Sequence, residues 1–466
     1  MYKVKNYNDL INQSFDFPSS EFEVKNTKLY FHGVNLMEVV EKYGTPLKLS
    51  YLPKISQNIR YAVKIFNDGM TKHNYKGNYT YCYCTKSSHF QFVLEEVLSN
   101  GAQMETSSAF DIPIIHHLYK EKKITKTLLI ICNGFKRPKY IENIISLISN
   151  DYTNCIPVLD NLNELEQYTE KITEKIKIGI RVASDEEHNF SFYTSRLGFR
   201  YRDIIGYCKE KIQQNKMVDL KLLHFFINTG VKDSAYYWSE LSRFIHLYCE
   251  LKKVCPTLDS IDIGGGFPIK NKLNFIFDYN YMANQIIENI KWICAKNRTP
   301  TPHIITEFGN YTVGESGATI YSVLDKKLQN DKELWYIMDG SFITHMPDVW
   351  GLNQKYVLLP LNLWHNMYQR VNIGGLTCDS MDYYDSEAHL GEVFLPKYNK
   401  KETLYFGFFN TGAYQEALSG YGGIQHCLIP SPKHVIINRD SENNLIYKLF
   451  AEEQKNEDML KILGYA

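Results

Sequence analysis

Eight times between about residues 80 and 308, a short β-rich run gives way to a longer stretch with helical spacing, and few architectures accept that rhythm. The runs are YTYCYC (80–84 and its edge), QMETS (103–107), TLLIIC (127–132), IPVLD (156–160), IGIRVA (178–183), LKLLHFFI (220–227), SIDIGG (260–265) and HIITEF (303–308). Between them, FQFVLEEVLSNG, YIENIISLIS and AYYWSELSRFIHLYCELKKV place apolar residues at i, i+3, i+4 and i+7, which gives a helix one apolar face. Strands separated by such helices pair in parallel. Eight units favour closure into a (β/α)8 TIM barrel over an open doubly wound sheet.

After about residue 312 the rhythm changes. WYIMDGSF, KYVLLPL, QRVNIGGLTC, EVFLPKY, TLYFGFF, KHVIIN and LIYKLF are short strands with turn signals between them, which predicts a separate, mainly antiparallel β domain. The first 45 residues show no regular pattern and are expected to pack on that domain, since chain ends often meet. The expected organisation is a segment over 1–45, a barrel over 46–311 and a C-terminal β domain over 312–466. Two domains suit a chain of 466 residues.

Lys+Arg and Asp+Glu balance at 52 each, so net charge draws neither nucleic acid nor an anionic membrane. The expected partners are a small molecule and a second copy of the chain. The ten cysteines include no Cys-x-x-Cys pair and no cluster with His at zinc spacing, so no metal is expected. The opening run MYKVKNYNDLINQSFDF lacks an apolar secretion core, and no apolar run of about 18 residues occurs, so a reducing, cytoplasmic compartment is expected.

Functional groups of a barrel belong at the C-terminal ends of its strands. Lys86 directly follows the first run, where an amine can be desolvated and can bond an aldehyde, although a solvated loop lysine is the more common case. Gly264, Gly265 and Gly266 follow SIDI. Three glycines let backbone N–H groups converge on an oxyanion such as phosphate, whereas a tight turn alone seldom needs three. Their spacing is not that of a nucleotide-binding loop. Glu307 ends HIITEF, where a carboxylate can hold a pyridine nitrogen protonated or serve as an ordinary ion-pair partner. Arg181, late in IGIRVA, could likewise be structural, although charged residues pointing into a barrel top are seldom idle. Beyond the barrel, LTCDSMD pairs Cys378 with Asp379, HMPDVWG carries Asp348, and GFFNTGAYQEALSGYGG carries Tyr414. Two carboxylates suit the distal cation of a basic substrate, because a guanidinium forms bidentate pairs with them. Each is equally an exposed loop acid, and Cys378 an inert thiol.

In this order and at these separations, the segments resemble the fold-type III pyridoxal 5'-phosphate (PLP) decarboxylases of ornithine, diaminopimelate and arginine, over roughly residues 45 to 435. YCYCTKSS, GGGFP, ITEFGNY, TCDS and GAYQE carry the resemblance. HMPDVWGLNQKYVLLPLN, LTCDSMD and LYFGFFNTGAYQEALSG look like the corresponding runs of biosynthetic arginine decarboxylases. The resemblance implies an alanine-racemase-like PLP-binding barrel and decarboxylation of a basic amino acid. The reaction would be arginine to agmatine and carbon dioxide, in polyamine and spermidine biosynthesis.

It also implies roles. Lys86 would bond the cofactor aldehyde, and Gly264, Gly265 and Gly266 with Thr229 and Tyr414 would surround the phosphate. Glu307 would contact the pyridine nitrogen, and Arg181 would lie near the ring. Cys378 would protonate the carbon left by carbon dioxide, and Asp379 would hold the far end of the substrate. Sites shared across a head-to-tail homodimer, or a higher oligomer, are implied as well. Two positions depart from the family. Phe226 stands where HFHxGS has a stacking His, keeping a π face but losing a polar contact. Asn310 stands where EPGR has its Arg, leaving a neutral donor near the phosphate. Ornithine, lysine or diaminopimelate as substrate, a racemase on the same barrel, and a non-catalytic regulatory homologue are the competing readings. A racemase would want a Tyr opposite the Lys and would lack the Cys-Asp pair.

Overall fold

The computed structural model describes residues 19–185, 194–388, 390–399 and 401–465, so the first 18 residues of the expected N-terminal segment lie outside the described residues. The described residues divide into two compact units, one within residues 56–268 and 277–312, the other within residues 19–55, 269–276 and 313–465.

The first unit is a closed barrel of eight parallel strands in chain order: Tyr79–Cys84, Gln103–Thr106, Ile130–Cys132, Cys155–Leu159, Ile176–Val182, Val218–Phe225, Ser260–Asp262 and His303–Phe308. Each matches one of the eight runs. Closure is made where the last strand pairs with the first, from Ile304 opposite Tyr79 to Phe308 opposite Tyr83. The intervening helices start on local chemistry. Pro138 opens Pro138–Ser149, where its missing N–H is no loss. Ser234 and Asp278 cap Ala235–Val254 and Tyr279–Lys296 by accepting the backbone N–H of Tyr237 and Tyr281. Inside the barrel, Cys82, Ile131, Ile156, Val158, Leu222 and Ile305 form an apolar plug. Toward the C-terminal strand ends the buried residues become ionisable: Glu105, His224, Asp262 and Glu307. Burying such groups is expensive unless they satisfy one another, so this end of the barrel is marked out.

The second unit is built on a nine-stranded sheet. Its central strand Gly317–Leu328 pairs antiparallel with Leu334–Met338, Tyr405–Phe409 and Leu47–Tyr51. Two pairings, Leu47–Tyr51 with Lys433–Arg439 and Leu334–Met338 with Asn372–Gly374, are parallel, and the others are antiparallel. Residues 22–35 form a small three-stranded sheet that precedes helix Leu36–Tyr43. Two expectations need correction. The described part of the first 45 residues is regular. The barrel unit begins at Ser56 rather than 46, because Leu47–Tyr51 hydrogen-bonds into this sheet. Lys48 disguises that strand, since a lysine rarely faces a core; here it is buried and paired with Glu416 at 2.8 Å. Among the described residues no helix is long and apolar enough to cross a membrane.

Candidate active site

Immediately after the first barrel strand, Thr85–Ser87 makes a single 3-10 turn that carries Lys86, exposed, between buried Thr85 and Ser87. Asp111 fixes this turn. One of its carboxylate oxygens accepts the Thr85 hydroxyl at 3.0 Å and meets His89 Nε2 at 3.0 Å. The other accepts the backbone N–H groups of Ser107 and Ser108, each at 2.9 Å, after the second strand. Burial would raise the Asp111 carboxyl, but His89 and these donors outweigh it and hold the group below its ordinary value. The Lys86 turn is therefore anchored to its neighbour.

On the neighbouring last strand, the backbone oxygen of Glu307 accepts Cys84 Sγ at 3.1 Å. A Cβ on Gly309 would lie 3.1 Å from Ser87. The Glu307 carboxylate accepts Asn133 Nδ2 at 2.7 Å on Oε1, while Oε2 faces His224 Nε2 at 3.3 Å. Asp262 completes a buried trio with His224 and Glu307, with all ligand atoms within 4.8 Å of one another. Two carboxyls this close cannot both ionise. Burial would raise Glu307, yet His224 facing it, with Asp262 and the charge of Lys86, holds it well below its ordinary value. Burial and the Glu307 charge push Asp262 well above the carboxylate range. Glu307 is thus the anionic member of the pair and Asp262 the one that keeps its proton. Glu105 stands nearby, fully buried. Burial raises it to about 7, against the pull of Lys86 and with the push of Glu307. Neither of its oxygens finds a well-formed hydrogen-bond donor among the described residues.

The glycine loop borders this cluster. Gly264 and Gly266 hold left-handed φ values of 68° and 105°, which disfavour any side chain. A Cβ on Gly265 would sit 2.1 Å from the Glu307 carbonyl oxygen, and one on Gly266 would sit 2.5 Å from Gly230 Cα. Backbone packing by itself therefore demands the triplet, whatever anion the loop binds. Phe226, 38% exposed, lies against Gly264. Thr229 is half-buried in the turn before Gly230, and Asn310 opens the short helix Asn310–Val313. Arg181 is desolvated, which lowers its pKa despite the charges of Asp160, Glu307 and Glu105, and its Nε meets no partner among the described residues.

The other unit holds Asp348, Cys378, Asp379 and Tyr414. Asp348 is buried, with one oxygen accepting Gln415 Nε2 at 2.8 Å and Oδ1 without a hydrogen-bond partner among the described residues. Tyr414, at φ 68°, caps helix Gln415–Ser419. Cys378 is exposed, and Asp379 Oδ1 accepts the Met381 N–H at 2.8 Å. Residue-by-residue reading passed over Glu105, His224, Asp262 and Asn133. The available signal was a polar residue at or beside the end of each of four barrel strands.

Residues 55–314 match the family described as the pyridoxal-dependent decarboxylase, pyridoxal binding domain. The chain belongs to that family. Its cofactor is PLP. A biosynthetic arginine decarboxylase of Prochlorococcus marinus (strain AS9601) is 24% identical over 90% of this chain and 83% of its own length. Among solved structures, the biosynthetic arginine decarboxylase of Campylobacter jejuni covers 96% of this chain and 89% of its own at a TM-score of 0.79 and 20% identity. A diaminopimelate decarboxylase from M. jannaschi covers 95% and 97% at 0.78 and 17%. Likeness at that identity speaks to the fold. The barrel mouth of this pyridoxal-dependent decarboxylase fits the cofactor on its own terms. It offers a lysine at the strand end, an anionic Glu307, a backbone loop that no Cβ enters, and buried polar atoms on Glu105 and Arg181 that await partners.

Proposed function

We propose that the chain decarboxylates a basic amino acid, and that arginine is its substrate, giving agmatine and carbon dioxide. The observation that carries the decarboxylase reading is the Glu307 carboxylate, accepting Asn133 at 2.7 Å and facing His224 at 3.3 Å in a desolvated barrel end that also presents Lys86. PLP, when bound, supplies an electron sink for the bond to the departing carboxylate. Lys86 would hold its aldehyde, and the Glu307 anion would keep a proton on the ring nitrogen. Gly264, Gly265, Gly266, Thr229, Asn310 and Tyr414 would enclose its phosphate, Phe226 would cover the ring face, and Arg181 would lie beside the ring. Cys378 would deliver a proton to the Cα atom, and the Asp379 and Asp348 carboxylates would hold the distal cation. Arginine is supported by the names of the relatives and by these two acids, since a planar guanidinium presents forked donors that a carboxylate accepts in pairs.

Asp379→Asn isolates the charge, because it keeps the shape. Loss of a desolvated charge-assisted pair costs about 2–5 kcal/mol, so kcat/KM for arginine should fall roughly 30- to several-thousand-fold with cofactor absorbance unchanged. An Asp379→Asn variant that decarboxylates arginine at the wild-type rate overturns the substrate assignment.

A further inference from the structure

Eight of the ten cysteines are buried; the two exposed ones, Cys378 and Cys427, have Sγ atoms 3.3 Å apart. A ring nitrogen of exposed His426 completes a set in which every ligand atom lies within 4.8 Å of the others. We propose that Cys378, His426 and Cys427 form a binding site for a soft divalent cation of the zinc class. Two thiolates and one imidazole select soft or borderline ions over magnesium or calcium, which take oxygen donors. A tetrahedral ion with thiolate bonds of ~2.3 Å needs its sulfurs about 3.8 Å apart. That is about 0.5 Å beyond the present separation, a small adjustment for exposed loops. Three protein ligands leave a fourth position for water.

The surroundings favour such a centre. The Cys378 backbone N–H points at Cys427 Sγ at 3.5 Å, the kind of outer contact that steadies a ligating thiolate. The loop bearing Cys378 is fixed by buried Asp382, which accepts the Phe342 N–H and the Thr377 hydroxyl, each at 2.7 Å. Cys427 and Leu428 both lie in the left-handed region, at φ 53° and 52°, closed by the Leu428 N–H to Gln425 oxygen bond of 3.0 Å. No spacing rule finds this set, because 49 residues separate the two cysteines.

The consequence rests on the reading of Cys378 as the proton donor. A metal-bound thiolate has no proton to give, so the ion would act as a reversible inhibitor. The test uses the holoenzyme, reduced with a phosphine, exposed to Zn2+, desalted and assayed for bound zinc with a chromophoric chelator. Wild type should retain one ion per chain. Cys427→Ser and His426→Ala should each weaken binding at least about tenfold, since even outer-contact losses reach that size. Zinc should suppress decarboxylation by the wild type, reversibly with chelator, and much less by Cys427→Ser. Wild type that retains no zinc, or variants that retain as much as wild type, overturn the proposal. Binding without loss of activity upholds the site and contradicts the proton-donor role of Cys378 instead.

Discussion

At the scale of single residues, Glu105 couples pH to stability. Its carboxyl is raised from 4.5 to about 7 by burial, so the folded chain binds that proton more tightly than the unfolded chain. Stability must then fall as pH rises through the window from about 4.5 to about 7, and the contribution is constant below it. In protein freed of PLP, Glu105→Gln should flatten the decline of Tm across that window; an unchanged slope would show that Glu105 does not titrate there. Lys86 is tested chemically. Borohydride reduction of the holoenzyme should leave the cofactor on the peptide containing Lys86, and a label on another lysine would break the proposed assignment. Lys86 and the glycine triplet were legible in position because loop residues just after a strand have a defined place in a barrel, whereas Glu307, inside His303–Phe308, was singled out through its segment ITEFGNY. Glu105, His224 and Asp262 were not. Each sits inside or at the end of a short run, where a one-residue change of register reverses the direction of every side chain. Only the closed barrel shows that they point inward.

Secondary-structure elements were legible in proportion to their period. All eight barrel strands coincide with apolar runs, and Ala235–Val254 matches its amphipathic stretch from end to end. Leu47–Tyr51 escaped because a five-residue strand interrupted by a lysine has almost no pattern, and because its partners lie hundreds of residues away. The glycine loop was recognised for a reason that the packing broadens. Its lack of side chains is required by the Glu307 backbone as well as by any bound phosphate. Gly265→Ala should therefore destabilise the protein even without PLP, by about 1–3 kcal/mol, because the added methyl must displace strand backbone. Gly206→Ala is the matching control. Gly206 lies in helix Tyr201–Tyr207 with nothing within 4 Å of an added Cβ, and alanine favours helix. Thermal melts of the two apo variants should move in opposite directions. A neutral Gly265→Ala would mean that the loop has slack.

For the whole molecule, the proposal of a homodimer with sites shared between subunits makes a quantitative demand. Lys86→Ala and Cys378→Ala subunits, each inactive alone, should recover about a quarter of wild-type activity when mixed in equal amounts. Half of the dimers are then mixed, and each has one intact site of two. No recovery, with exchange of subunits verified, would place both residues of a site on one chain. Above this stands the reaction itself. The most direct measurement is carbon dioxide release by the PLP-loaded protein from arginine, lysine, ornithine and diaminopimelate, with the amine product identified by mass. Equimolar agmatine and carbon dioxide are expected from arginine, at a kcat/KM well above that of the other three. Preference for ornithine, lysine or diaminopimelate would contradict the substrate, and no release from any of the four would contradict the decarboxylase.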